Sequence, residues 1–221
     1  MKLLRLLYPV KCAFCGRLMP EDTPEGDALC PDCRARLPWT RNGGKTHGSF
    51  FSVCLSPLAY TGLAREGLLH FKFRRRSAAG CCFARLMADC LRENPPGEIQ
   101  LVTWVPLSLL RFRKRGYSQS RLLAGALAEE LGLPCMPLLR KKRHTAPVSG
   151  LRGADRRRAA VSGAFAMARG GEAEAAGKCI LLVDDVITSG ATLSECSRVL
   201  LTAGADRVVC VTLCRAVNAG K

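Results

Sequence analysis

No stretch of this chain approaches the roughly 20 consecutive apolar residues that a membrane-spanning helix needs. The apolar run 3–10 is short and is broken by Arg5. No small-residue cleavage site follows it, so it does not read as an export signal. There is no internal repeat. Histidine is scarce: His47, His70 and His144 show neither ligand nor triad spacing, which points to surface or packing roles. Acidic residues are also few, 18 against 34 Lys and Arg, leaving a formal net charge of +16. Such a surplus excludes little by itself but favours polyanionic partners: nucleic acid, phosphorylated metabolites or an acidic membrane face. A merely basic solvated surface is the plainer alternative, and the clustering of the charges argues against it. Hydrophobic content of 48% and charged content of 24% are ordinary for a globular chain. A length of 221 residues suffices for one well-cored domain and a small accessory one.

Cysteine, by contrast, is abundant, with 13 in the chain. With no export signal the expected compartment is the cytoplasm, where thiols stay reduced and close pairs suggest metal. Cys12-Ala13-Phe14-Cys15 and Cys30-Pro31-Asp32-Cys33 are two C-x-x-C turns separated by fourteen residues. Four thiolates suit tetrahedral Zn²⁺ and fill its coordination sphere, so a structural rather than catalytic ion is the preferred reading. A nucleic-acid-binding ribbon is the alternative, with an iron–sulfur centre or redox dithiol behind it. The segment around these pairs, residues 9–40, has little periodic structure, and a small domain without a core needs such a staple. Cys54, Cys81, Cys82, Cys90, Cys135, Cys179, Cys196, Cys210 and Cys214 lie in apolar contexts and read as buried small hydrophobes.

Residues 1–8 suggest a short apolar lead-in, and 41–49 a linker. Residues 50–60 suggest a strand pair turning at Ser56-Pro57. Helical periodicity covers 63–73 and 78–92, and Asn94-Pro95-Pro96-Gly97 stops the second helix. From residue 99 the pattern becomes α/β. Strands are expected over 99–105, 178–186 and 207–214, and helices over 119–131 and 191–203. Residues 140–163 read as a basic loop with a short helix near 155–160, and 171–177 as a polar hairpin or turn. Strand, helix and strand from 178 to 214 imply a parallel crossover.

The most informative stretch is 180–193, Ile-Leu-Leu-Val-Asp-Asp-Val-Ile-Thr-Ser-Gly-Ala-Thr-Leu. A buried strand delivers Asp184 and Asp185 at its carboxyl end, where ligands bind in open α/β sheets. The loop through Thr188, Ser189, Gly190, Ala191 and Thr192 then opens a helix. A helix N-terminus presents unpaired N–H groups and partial positive charge, which suits phosphate. Gly190 permits close backbone approach, and the hydroxyls add donors. Two adjacent carboxylates repel phosphate but accept hydrogen bonds from vicinal ribose hydroxyls and can sit near Mg²⁺. An ordinary Asp-capped helix would need one acid and no Thr-Ser-Gly-Ala-Thr run.

Basic residues crowd three places: Arg111, Arg113, Lys114 and Arg115; Arg140, Lys141, Lys142 and Arg143; and Arg152, Arg156, Arg157 and Arg158. Thirteen basic and three acidic residues fall between 101 and 160, so most of the surplus lies there. Arg113, Lys114 and Arg115 can neutralise the charge of a departing pyrophosphate. The first two clusters can equally neutralise the phosphates of single-stranded nucleic acid, with Tyr117 stacking a base.

The 180–193 stretch resembles the signature of type I phosphoribosyltransferases. That resemblance implies that 188–192 take the 5-phosphate of phosphoribosyl pyrophosphate (PRPP), that Asp184 and Asp185 take the ribose hydroxyls, and that Mg²⁺ accompanies the ligand. It also implies a pyrophosphate loop at Val105-Pro106-Leu107 and a flexible loop over 111–120. The whole order resembles the ComF family of competence proteins: the paired C-x-x-C turns, Tyr60 before a helix ending at Leu69–Phe73, Arg115-Gly116-Tyr117-Ser118-Gln119, Arg143 to Thr145, Arg157, Phe165 and 180–193. The expectation is a type I phosphoribosyltransferase-like parallel sheet flanked by helices, over 50–221, behind a small zinc ribbon and linker over 1–49. Within the larger part, 50–98 would pack as a hood and 99–221 form the α/β core. The resemblance further implies a part in DNA uptake, at the cytoplasmic face of the membrane, with single-stranded DNA and a competence helicase or recombination mediator as partners. Ser118, Val148 and Ala160 stand where that family usually has amides. Two functions follow as expectations: a Mg²⁺-dependent transferase or PRPP hydrolase, and a non-enzymatic DNA-binding adaptor that keeps PRPP as a ligand. A zinc-ribbon RNA-binding protein is the third.

Overall fold

The computed structural model describes residues 9–73, 79–107, 113, 116–142 and 159–217. In chain order its regular elements are α1 (Pro31–Arg36), β1 (Cys54–Leu55), β2 (Leu58–Ala59), α2 (Gly62–Phe73), α3 (Ala79–Glu93), β3 (Leu101–Trp104) and α4 (Gln119–Leu131). They continue with β4 (Leu139–Lys141), β5 (Phe165–Met167), α5 (Gly171–Ala175), β6 (Cys179–Ile187), α6 (Ala191–Thr202) and β7 (Arg207–Arg215).

β6 and β7 are the long strands because their apolar runs are buried on both faces, as parallel strands require. They pair in parallel from Cys179 opposite Arg207 to Ile187 opposite Arg215. β3 adds to the far side of β6, and β1 and β2 both add, also in parallel, to the outer side of β7. Successive side chains alternate between two cores. Leu181, Val183, Val209, Val211 and Leu213 face α3 and α4, while Ile180, Leu182, Val208 and Cys210 face α6. This is the phosphoribosyltransferase-type parallel sheet with helices.

The zinc-ribbon segment packs on the same core. Phe14, buried, meets Phe83 of α3 at 5.1 Å between ring centroids, and Phe83 meets Phe71 of α2 at 5.4 Å. Arg85 of α3 ties the two regions at the rim, reaching Asp27 at 3.6 Å and Glu130 of α4 at 3.0 Å.

Several expectations need correction. The two strands expected over 50–60 form on either side of Ser56-Pro57 as β1 and β2, but each pairs with β7 and not with the other, because Ser56-Pro57 carries the chain along that edge rather than back on itself. Residues 171–177 form neither hairpin nor turn alone but a helical turn, α5, whose Glu172 and Glu174 sit favourably at its N-terminal end. The loop expected from residue 140 begins instead in an antiparallel ribbon, with Leu139 opposite Met167 and Lys141 opposite Phe165. Pro31–Arg36 is helical where no regular structure was expected. The expected lead-in 1–8 and positions 155–158 of the helix expected near 155–160 lie outside the described residues, while 159–161 are helical. Of the nine other cysteines, seven are buried, while Cys81 and Cys135 are half-buried.

Candidate functional site

β3 and β6 end side by side. Trp104 is registered with Val183, and the Val105 N–H donates to the Val183 carbonyl at 3.0 Å. Val105-Pro106 and Asp184-Asp185 therefore meet at one edge of the sheet, at the carboxyl ends of neighbouring strands.

Asp184 is held from two directions. Its Oδ1 accepts from Ser120 Oγ at 2.9 Å and from the Asp185 backbone N–H at 2.9 Å. Ser120 reaches it because Ser118 caps α4, accepting from the Arg121 N–H, and so sets where the first turn begins. Asp185 Oδ2 pairs with Lys72 Nζ at 2.7 Å, both side chains being mostly buried, 15% and 17% exposed. Burial pushes the Asp184 carboxyl up to about 7, and the neighbouring Asp185 charge adds to this; the Asp185 N–H, Ser120 and Lys72 oppose it. Burial acts against the Lys72 charge, but the Asp185 carboxylate outweighs it and holds the ammonium above its ordinary pKa.

After Ile187 the chain turns through Thr188 and Ser189, both exposed, to Gly190. Gly190 has φ 74°, a left-handed conformation that costs a side-chain-bearing residue about 1–2 kcal/mol. No side chain caps α6, so its first N–H groups face the loop unclaimed by a capping side chain. A cleft of about 740 Å³ opens beside them, lined by Ser189, Gly190 and Ala191 and by His47, Phe50 and Phe51 across from them.

Lys72 and Ser120 were not among the site residues expected from the sequence. The signal for Lys72 was its place between Phe71 and Phe73 at the end of an apolar helix, where a charged group seldom sits unpaired. Tyr117 donates its hydroxyl to the Phe71 carbonyl and sets its ring edge-on to Phe71, 6.2 Å between centroids. Arg113 is exposed. Arg111, Lys114, Arg115 and Arg143 lie outside the described residues. Arg140 and Lys142 are exposed on the β4–β5 ribbon, and Lys141 lies 5.0 Å over the Phe165 ring. Together with Arg198, Arg140 and Lys142 border a cleft of about 530 Å³.

At the other end of the chain, the sulfurs of Cys12, Cys15, Cys30 and Cys33 lie within 4.8 Å of one another. A tetrahedron of Zn–S bonds of about 2.3 Å places sulfurs about 3.8 Å apart, so the four need only draw in slightly. Gly16, at φ 78°, permits the turn that closes the first pair, its N–H donating to the Cys12 carbonyl. Burial opposes a Cys12 thiolate, but N–H groups of Cys30, Cys15 and Phe14 aimed at its sulfur bring it down to about 7. The donor set fits zinc, which these thiolates would hold as a cross-link with no open coordination site. No helix among the described residues is long and apolar enough to cross a membrane.

Comparison with known proteins follows the same division. Residues 118–221 match the phosphoribosyl transferase domain family, and residues 3–55 the double zinc ribbon domain family. The chain is 34% identical over 214 residues to DNA utilization protein YhgH of Salmonella typhimurium, covering 92% of this chain and 89% of that protein. It is 32% identical over 151 residues to Competence protein F of Haemophilus influenzae, covering 66% of this chain and 65% of that one. With Competence protein ComFC of Bacillus subtilis it shares 28% identity over 193 residues, 87% and 72% of the two chains.

Proposed function

Given that this chain belongs to the ComF-type family of competence and DNA utilization proteins, with their zinc ribbon and phosphoribosyl transferase domain, we propose that it binds PRPP in the service of DNA uptake or use. The observation that carries this reading is the junction of β6 and α6. An acid pair stands at the strand end, and an uncapped helix N-terminus follows six residues later around a left-handed glycine. The N–H groups and hydroxyls of 188–192 take the 5-phosphate. Asp184 and Asp185 take the ribose hydroxyls, and Val105-Pro106 lies against the pyrophosphate. Mg²⁺ enters with the ligand. Arg113, Lys114 and Arg115 neutralise the pyrophosphate, and if a nucleophile attacks C1 they stabilise its departure. The zinc ribbon, residues 1–49, then serves as a fixed cover on the domain 50–221, and the protein works in the cytoplasm or against the inner membrane face.

The test is twofold. PRPP with Mg²⁺ should bind the wild type and bind Gly190→Ala much more weakly. Pyrophosphate release with amines or bases then separates transferase from adaptor. Absence of PRPP binding by the wild type would remove this reading.

The adaptor reading has its own support in the basic cleft at the β4–β5 ribbon, which Arg140 and Lys142 border, both exposed. Such a cleft suits a single strand, with phosphates on the cations. Arg111, Tyr117, Lys141 and Arg143 would add contacts to the strand, and a competence helicase or recombination mediator would receive it.

A further inference from the structure

The acid pair carries its own cation. We propose that Lys72 is a positioning and specificity residue of the phosphoribosyl site, making Asp184 and Asp185 a receptor for a neutral vicinal diol and closing them to a divalent metal ion. This rests on the reading of the preceding subsection.

Lys72 comes from the last turn of α2, which is anchored by Leu68 and Phe71, both fully buried. The Tyr117 hydroxyl binds the Phe71 carbonyl and so fixes the turn that bears Lys72. The ammonium is thus held at 2.7 Å from Asp185 Oδ2 in a place where both side chains are largely shielded from water. Shielding makes the pair far stronger than one at the surface.

Two consequences follow. The first concerns hydrogen bonds. Among the described residues, Asp184 receives its hydrogen bonds at Oδ1 and Asp185 its ion pair at Oδ2. The second oxygen of each carboxylate remains to accept, one for each of two neighbouring hydroxyls. The second concerns charge. A Mg²⁺ or Mn²⁺ ion on Asp185 would bind at about 2.0–2.2 Å from oxygen and stand within a few ångströms of Nζ, repelled through a dry medium. A diol brings no charge. It meets an acid pair whose Asp185 carboxylate Lys72 holds in place. Any Mg²⁺ that accompanies PRPP is then carried on the ligand's pyrophosphate and not on the acid pair.

The experiment uses the full zinc-loaded chain and Mn²⁺ alone, read by the paramagnetic resonance signal of free Mn²⁺. Wild type should leave the signal unchanged. Lys72→Met should capture Mn²⁺, and Lys72→Met/Asp185→Asn should lose it again, while Lys72→Arg should behave as wild type. Capture by the wild type that Asp185→Asn abolishes would overturn the proposal, as would a folded Lys72→Met that captures none. A second measurement needs no variant. Ribose 5-phosphate should bind the wild type with less than a twofold change in Kd between metal-depleted and Mg²⁺-containing buffer, and 2-deoxyribose 5-phosphate about tenfold more weakly. A tenfold tightening by Mg²⁺ would contradict the proposal. Failure of the sugar phosphate to bind at any metal level would instead strike the phosphoribosyl reading, and the Mn²⁺ result would stand apart from it.

Discussion

Ser120 Oγ donates to Asp184 Oδ1 across 2.9 Å, so the first turn of α4 holds the first acid of the pair at the end of β6. The contact joins residues 64 positions apart and sets the direction in which the carboxylate presents its other oxygen. Ser120→Ala should therefore weaken PRPP binding about tenfold, the loss of one hydrogen bond to a charged acceptor at ~1.5 kcal/mol. Calorimetric titration at pH 8 checks this. The melting temperature at pH 8 should fall as well, because the lost hydrogen bond is one the folded protein makes to a buried carboxylate.

The acid pair also imprints a pH dependence on stability. The Asp184 carboxyl is raised from the model-peptide value of 3.8 to about 7, first by burial and then by Asp185. The folded state thus holds a proton that the unfolded chain has already released. Stability contributed by that proton is full below about 4, falls as pH rises toward about 7, and is gone above it. Asp184→Asn removes the titrating group. Its melting temperature should exceed that of the wild type at pH 8, and its profile from pH 5 to 8 should be flatter. A variant that melts below the wild type at pH 8 would show that hydrogen bonding, not burial, governs this carboxyl.

The ribbon and the sheet domain should unfold together. Phe14, 1% exposed, is part of the same core as Phe83 and Phe71. Phe14→Ala should cost about 3–5 kcal/mol. Removal of zinc by a chelator should lower the one main calorimetric transition instead of releasing a separate ribbon transition, and metal analysis should find about one Zn per chain. A main transition indifferent to the chelator would mean that the ribbon is an independent module.

If the adaptor reading holds, the β4–β5 ribbon contributes to it measurably. Arg140→Ala/Lys142→Ala should reduce the slope of log K against log salt for a single-stranded oligonucleotide by about 1–1.5, as expected for two lost phosphate contacts. PRPP binding should be unchanged, since both residues border a cleft distinct from the acid pair.

Much of this architecture was legible before the structure. The strand at 178–186 and the helix at 191–203 announced themselves because a doubly buried strand and an amphipathic helix leave strong, different periodicities. The two C-x-x-C turns needed only spacing. Shorter elements escaped. β4 and β5 have three residues each, too few for a pattern, and Arg140 and Lys142 made the first look like loop. β1 and β2 read as a strand pair because the turn residues Ser56-Pro57 were visible while their common partner β7, some 150 residues later, was not. At the site, the acids were evident from the motif, but what restrains them was not. Lys72 and Ser120 reach the pair from helices distant in sequence, and only the packing of α2 and α4 on one side of the sheet reveals the contact.

The central claim is that the β6–α6 junction binds a phosphorylated ribose through its acid pair. Calorimetric titration of PRPP with Mg²⁺ into the wild type and into Asp184→Asn/Asp185→Asn tests it most directly. The account predicts saturable heat for the wild type and at least a tenfold loss of affinity for a folded double variant. No heat from the wild type, or equal binding by both proteins, would contradict it.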